Sequence, residues 1–548
     1  MTPDGPDHAT IPEYFAATVD RRCAQDALGV IAGGRLTWRT WDRLAGEVAA
    51  WAAELAARGV RPGDRVAQVG LNSAGWIVAD LAIQTVGAVH APLHAALSGT
   101  QAAEQIAHCE AKLVLAQDEQ AAERLAGHLH RATPVVLHRD MPAGSDAHPW
   151  RRASTFPGPD DLATILYTSG TTGDPRGVML TQRNIVANTA AMIAAAGAPA
   201  DETRLCILPL SHIYARTCDL YVWIVRGTHL VLPESRETLL RDCRMAHPTV
   251  LNAVPYFYQK VADGVRAANP DADAQSLRNA LGGQVARCYC GGAALPPEVE
   301  QFFADRSLPI LCGYGLTESA PVITAMSIEH YAPGTVGRPL ANLEVRIAAD
   351  GEIQARGPSI MQGYWHNEAD TRRVLEDGWL LTGDLGEWDD QGNLRIIGRK
   401  KEMLVLSTGK KVAPTRVEQL LLGSPWIEPC CVVGDGRKCV AALIVPNGDR
   451  LRGEIARRRL FVWSKRRALN HPQVLALYRD EINRCLAGAA EFEQVAAFTL
   501  LGRGFSVDDG ELTPKLSLRR AVIEKSFGAE IVAMYARRAG GEDAPARS

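Results

Sequence analysis

Residues 40–93 read TWDRLAGEVAAWAAELAARGVRPGDRVAQVGLNSAGWIVADLAIQTVGAVHAPL, and this stretch decides the fold class. Trp41, Leu44, Val48, Trp51 and Leu55 recur at steps of 3, 4, 3 and 4, which lays one apolar stripe along an amphipathic helix. Thr40 suits its N-cap and Gly59 its C-terminal stop. The turn Arg61-Pro62-Gly63-Asp64 then leads into a short strand near residues 65–70, a helix-like run over 74–86 and a second strand around 89–93. Strand, helix and strand at this spacing predict an α/β domain built on a largely parallel sheet.

Outward from this unit the pattern changes twice. Residues 140–161 are rich in Pro, Gly, Ser and Asp and read as a linker or long surface loop; residues 350–399 read as short strands with Gly and Asp turns. Past Lys401 a strand-like segment at 440–445 precedes helical stretches up to residue 486. The expected architecture is a large N-terminal domain over 1–400, with α/β subdomains and a small β-rich one, and a smaller α+β domain over 401–548.

The length of 548 residues allows large buried cores without disulfide or metal staples. With 59 Lys and Arg against 62 Asp and Glu, the net charge of -3 offers no overall field for nucleic acid or an anionic membrane. The run Arg457-Arg458-Arg459, beside Leu460, Phe461 and Trp463, could touch an anion but reads better as a solvated helix face. The first ten residues lack the features of a signal peptide, and no stretch approaches the roughly 18 apolar residues of a membrane span. Among the 12 cysteines, Cys288 and Cys290 are two apart and Cys430 and Cys431 adjacent. Neither spacing suits zinc, so reduced core thiols in a cytoplasmic protein are expected.

Three segments carry chemistry. The strand-like Leu162-Ala163-Thr164-Ile165-Leu166-Tyr167 runs directly into Thr168-Ser169-Gly170-Thr171-Thr172-Gly173-Asp174-Pro175-Arg176-Gly177. Its glycines let backbone N–H groups converge on an anion, its hydroxyls add donors, and Arg176 adds a charged fork. This suits a nucleotide triphosphate, although the G-x-x-x-x-G-K-[ST] loop of kinases and GTPases is missing. Second, Gly313-Tyr314-Gly315-Leu316-Thr317-Glu318-Ser319 follows an apolar strand. Glu318 there is either a carboxylate for Mg²⁺ or a dipole-favoured residue at a helix start capped by Thr317; Tyr314 offers a ring for base stacking. Third, Asp384 lies between glycines in Trp379-Leu380-Leu381-Thr382-Gly383-Asp384-Leu385-Gly386, as a ribose acceptor or as an ordinary β-turn aspartate.

Together these segments resemble the adenylate-forming superfamily, and specifically AMP-forming fatty acyl-CoA synthetases. The loop is similar to that family's Y-T-S-G-T-T-G-x-P-K-G-V. Residues 377–401, ending Gly398-Arg399-Lys400-Lys401, resemble its fatty-acyl motif, and Ser407-Thr408-Gly409-Lys410-Lys411-Val412-Ala413-Pro414 its next one. Pro209-Leu210-Ser211-His212-Ile213-Tyr214-Ala215-Arg216 and Val254-Pro255 also match, so the likeness spans nearly the whole chain. It implies a two-step ligase that uses ATP, Mg²⁺ and coenzyme A: a fatty acid is adenylated, and the CoA thiol then displaces AMP. It further implies that Thr168 and Glu318 hold Mg²⁺ and that Thr168, Ser169, Gly170, Thr171, Thr172 and Gly173 hold the phosphates. Gly291, Gly292, Ala293 and Tyr314 would border adenine, with Gly313 and Thr317 beside them, and Asp384 and Arg399 would hold the ribose. His212 is either a core histidine or an acyl-pocket or gating residue, and Lys401 matches the hinge of a mobile C-terminal domain.

The chain departs from the family pattern in two places. Arg176 stands where Lys is usual, so a planar fork replaces a point charge. In Glu511-Leu512-Thr513-Pro514-Lys515-Leu516-Ser517-Leu518-Arg519-Arg520, the family's catalytic lysine falls on Ser517. Lys515 and Arg519 would share a face with it in an extended segment, and each is a candidate substitute. Loss of one such group costs about 2.7–4 kcal/mol, or roughly 10²–10³ in rate. Transfer to a carrier-protein thiol or another acceptor, adenylation of a non-carboxylate oxyanion, and a binding protein without turnover are the competing readings.

Overall fold

The computed structural model describes residues 8–129, 133–144, 156–169, 175–197, 201–506, 508–512 and 518–539. The helix expected from the opening stretch spans Trp41–Ala57, and the Thr40 side chain accepts from the Arg43 N–H as its cap. Gly59 follows at φ +84°, a left-handed turn that glycine enters without Cβ strain. The five stripe residues are buried, and the ring of Trp41 stacks 4.7 Å from that of Trp223. Strands Arg65–Val69 and Val89–Leu93 pair in parallel, with helix Ala74–Thr85 crossing between them.

Three sheets build the larger part of the chain among the described residues. A seven-stranded sheet runs from Gly363–Tyr364 through Pro175–Thr181, Leu162–Ser169, Val89–Leu93 and Arg65–Val69 to Leu113–Ala116 and Val135–Leu137. A nine-stranded sheet has the parallel centre Ile310–Gly315, Arg287–Cys290, Val250–Ala253, Thr203–Leu205, His229–Leu232 and Asp26–Ala32, with antiparallel strands at both edges. A five-stranded antiparallel sheet over residues 344–399 is the β-rich portion.

Beyond residue 400 the three-stranded sheet Ile427–Val433, Ala441–Pro446 and Ala497–Leu500 is covered on both faces. Strand side chains alternate in direction. Cys430, Val432, Ala442 and Ile444 therefore pack on one core, and Cys431, Val433, Ala441 and Leu443 on the other. That alternation is why two adjacent cysteines are both buried. All twelve cysteines are free thiols. No helix among the described residues is long and apolar enough to cross a membrane.

A buried polar set joins these layers. Arg216 is 0% exposed and donates to Asp80, and its Nη1 donates to the Thr164 hydroxyl at 2.8 Å. Asp80 also faces His90 Nδ1 at 2.7 Å and accepts from Tyr221 Oη at 3.2 Å and Gln84 Nε2 at 3.1 Å. Burial alone would raise the Asp80 carboxyl, but Arg216 and His90 hold it below its ordinary value. Burial, reinforced by the Arg216 charge, pushes the His90 imidazole down to about 4.

This shift sets a pH dependence. The unfolded chain takes up the His90 proton near pH 6.5 and the folded chain only near 4, so stability is lost as pH falls through that window. The loss amounts to roughly 3 kcal/mol once pH is below both values. The urea midpoint should therefore fall between pH 7 and 4.5, and less steeply in His90→Asn. An unchanged slope in that variant would assign the acid sensitivity to other groups.

Candidate active site

The sequence-expected residues gather beyond the carboxyl ends of the parallel strands, where open α/β sheets take ligands. Thr168 lies at the end of Leu162–Ser169, Gly291 directly follows Arg287–Cys290, and Tyr314 lies near the end of Ile310–Gly315. Gly170, Thr171, Thr172 and Gly173 fall outside the described residues. Their flanks are two antiparallel arms, Leu162–Ser169 and Pro175–Thr181, in which Thr168 pairs with Arg176.

Tyr314, Asp384 and Arg399 form one connected set. Asp384 lies in strand Trp379–Trp388 opposite Arg399, so the β-turn reading does not hold. Its Oδ1 is 3.0 Å from Arg399 Nε, and its Oδ2 accepts from Tyr314 Oη at 2.7 Å. Burial pushes the Asp384 carboxyl up, against the opposing pull of Arg399. Gly383 turns the strand at φ +72°, and its N–H donates to Glu352 Oε1 at 2.8 Å. Gly292, at φ +81°, has open space where a Cβ would stand, and Gly291 packs close to the Tyr214 ring. A backbone bare on one side and a tyrosine–aspartate–arginine set together offer a wall for a flat base and acceptors for sugar hydroxyls.

Glu318 lies in the three-residue 3₁₀ turn Thr317–Ser319 rather than at an α-helix start, and Thr317 does not cap it. Ala320 at φ +64° and the following Pro321 prevent continuation. Glu318 Oε1 accepts from Tyr364 Oη at 2.8 Å, and the Glu318 carbonyl accepts from the Met361 N–H. Arg176 lies 5.5 Å over the Tyr364 ring, with its Nε 2.9 Å from Asp370 Oδ2. A line Asp370–Arg176–Tyr364–Glu318 thus ties one arm of the loop to the turn that carries the carboxylate. Sequence reasoning missed Tyr364 and Asp370. The structural sign is the two-residue edge strand Gly363–Tyr364, which pairs with Met179 and Val178.

His212 stands just before the short helix Ile213–Ala215, with its ring 4.9 Å from that of His94, a residue the sequence did not flag. Asn72 holds this loop by bonding the Leu208 carbonyl and the Leu210 N–H, each at 2.8 Å. Tyr214, Tyr314 and Leu316 pack with Met192 and Cys218 in one apolar cluster. A narrow, partly open cavity of about 10 Å³ continues from it, lined by Met192, Cys218, Val222 and Tyr289 and by the cationic Arg204 and Arg226. Beside it the buried Arg204 pairs with Glu202 and lies 3.6 Å from Asp219. Burial raises Asp219 to about 6.

At residues 400–402 the contacts divide. Lys400 Nζ reaches Asp350 at 2.6 Å and Glu352 at 2.8 Å, both in the β-rich portion. Glu402 instead pairs with Arg520 at 3.2 Å, and Arg520 also binds Glu418 and the Val432 carbonyl. The exposed Lys401 stands between these ties. Lys515 and Ser517 fall outside the described residues. Leu512 and Leu518 form an antiparallel bridge, and the Arg519 N–H donates to the Glu511 carbonyl. Arg519 is exposed and, among the described residues, makes no hydrogen bond or ion pair to Asp384 or Arg399.

The AMP-binding enzyme family model matches residues 15–365, and the model of the AMP-binding enzyme C-terminal domain matches residues 401–539. The long-chain-fatty-acid–CoA ligase FadD15 of Mycobacterium bovis is 30% identical, over 90% of this chain and 92% of that protein. The feruloyl-CoA synthase of an Amycolatopsis species is 32% identical, over 81% of this chain and 90% of that protein. In structure the chain is similar to the o-succinylbenzoate-CoA synthetase of Bacillus subtilis in complex with its acyl-adenylate intermediate. That likeness has a TM-score of 0.75 at 22% identity, covers 93% of this chain and 97% of the other, and concerns the fold. On the two family models and the identity to full-length relatives, the chain belongs to the AMP-binding enzyme family.

Proposed function

We propose that the chain is an acid–thiol ligase that activates a medium- or long-chain fatty acid with ATP and passes the acyl group to coenzyme A. The observation that carries this reading is that the Tyr314–Asp384–Arg399 set and the Asp370–Arg176–Tyr364–Glu318 line meet at the end of one strand, Ile310–Gly315, which holds Tyr314 and is followed within three residues by Glu318. The relatives named as CoA ligases support the thiol acceptor.

In this reading Asp384 accepts from the ribose hydroxyls of ATP and Arg399 fixes its carboxylate. Tyr314, Gly291, Gly292 and Ala293 flank the adenine, with Gly313 and Thr317 beside them. The loop from Thr168 to Gly173, Ser169 included, cradles the phosphates. The Thr168 hydroxyl and Glu318 carboxylate are hard oxygen donors, which suits Mg²⁺, an ion that needs one or two carboxylates besides water and phosphate oxygens. Bound there, Mg²⁺ would neutralise charge on the phosphates. Tyr364 fixes the Glu318 carboxylate by donating to it. Arg176 supports the loop arm from its pair with Asp370. The acid's carboxylate oxygen attacks the α-phosphorus and pyrophosphate leaves. The CoA sulfur, its proton released to solvent, then attacks the acyl carbon, and AMP leaves with the bonding pair on its phosphate oxygen. The acyl chain runs past His212 and Tyr214 toward Met192 and Cys218. The flexible Met192 side chain can yield space there.

The divided contacts at residues 400–402 support a hinge at Lys401, with 1–400 as the large domain and 401–548 as the lid. Free cysteines suit a reducing cytoplasm.

The test is incubation with ATP, Mg²⁺ and acids from acetate to palmitate, plus ferulate, with and without CoA, followed by mass spectrometry. AMP and acyl-CoA should form with fatty acids. Adenylate without acyl-CoA would move the acceptor to a carrier-protein thiol, and a preference for ferulate would move the substrate to aryl acids. Glu318→Gln should lower adenylate formation by about 10²–10³, whereas Tyr364→Phe, which loses one hydrogen bond to the carboxylate, should cost about tenfold. Ser517→Lys should speed adenylation; an unchanged rate would show that Lys515 or Arg519 already supplies the charge.

A further inference from the structure

We infer that the loop between the helices Gly448–Arg457 and Lys465–Leu469 is a docking site for an anionic phospholipid bilayer. The helix ends at Arg457, Arg458 caps it, and Arg459 turns out at φ +54°, so the basic run is a helix end and loop rather than a helix face. Leu460 packs against the lower core and anchors the loop. Phe461 and Trp463 then project 79% and 73% exposed, with ring centroids 4.6 Å apart in a T-shaped pair. They are the two most exposed aromatic side chains among the described residues that carry large hydrophobics.

The charge around this tip is of one sign. Residues 457–467 hold six basic residues and no acidic one, within a chain of net charge -3. Glu454 neutralises part of it, through Arg457 at 2.7 Å and Arg458. Arg459, Lys465, Arg466 and Arg467 are exposed and, among the described residues, form no ion pair. An apolar tip inside a ring of cations matches a bilayer in both depth and charge. Aromatic rings settle at the headgroup level, and each nearby Lys or Arg adds attraction to acidic lipid. A protein partner would be expected to meet a groove or a paired edge, whereas these rings stand out from an irregular loop.

The experiment is co-sedimentation of the full chain with phosphatidylcholine vesicles and with vesicles carrying about a third phosphatidylglycerol. Binding should appear with the acidic vesicles and weaken in high salt. Phe461→Ala with Trp463→Ala should reduce it at least tenfold. Replacing Arg459, Lys465, Arg466 and Arg467 by Gln should reduce it more than a hundredfold, at about fivefold per charge. Both variants should keep the thermal midpoint of the unmodified chain, since the altered side chains are exposed. Equal partition to both vesicle types, binding unaffected by the aromatic variant, or capture by a soluble acidic protein without vesicle binding would each overturn the assignment.

Discussion

The buried guanidinium of Arg216 is the constraint on which the arrangement of the site depends. An ion withdrawn this far from water is tolerable only where its partners are fixed. Asp80 comes from the helix between two parallel strands, Thr164 from the strand that leads into the phosphate loop, and His90 from the strand between them. One side chain thus ties the strand Leu162–Ser169 to the segment 209–216 that carries His212 and Tyr214. Removal of Asp80 leaves the buried charge unmatched, and removal of Thr164 or His90 leaves it short of a polar partner, so the group behaves as a unit and not as a sum of pairs.

The candidate site side chains build on that frame in two chains of contact. Asp384 is oriented from both sides, by Tyr314 and Arg399, and Glu318 is oriented by Tyr364. Glu352 links the first set to the domain boundary, because it accepts from the Gly383 N–H and also pairs with Lys400. The Asp384 set and the segment 400–402 are therefore mechanically continuous.

Much of this was legible in the sequence because it is local. A helix stripe, a glycine-rich loop after a strand, and motif residues such as Glu318 and Asp384 depend on neighbours a few positions away. Tyr364, Asp370 and His94 were not legible, since their meaning arises only when strands distant in sequence are paired: Tyr364 meets Glu318 across 46 positions. Two local readings also failed for physical reasons. Pro321 cuts short the helix that Glu318 would have opened, and strand pairing with Arg399 claims Asp384 before a turn can. Net charge is silent for a third reason, because a sum over 548 residues conceals eleven that carry six positive charges.

The ties on either side of Lys401 differ in their exposure to ions. Lys400 and Asp350 have about half their side-chain surface in solvent, whereas Glu352, the other partner of Lys400, has 5%, and Arg520 and Glu402 have 12% and 33%. Mobile ions damp the attraction of exposed charges over a Debye length of about 10 Å at 0.1 M and weaken buried pairs far less. Rising ionic strength therefore weakens the Lys400–Asp350 pair first and leaves the Lys400–Glu352 and Glu402–Arg520 pairs closer to intact. The segment 400–402 is a joint with one salt-sensitive contact, and that contact lies on the side of the β-rich portion.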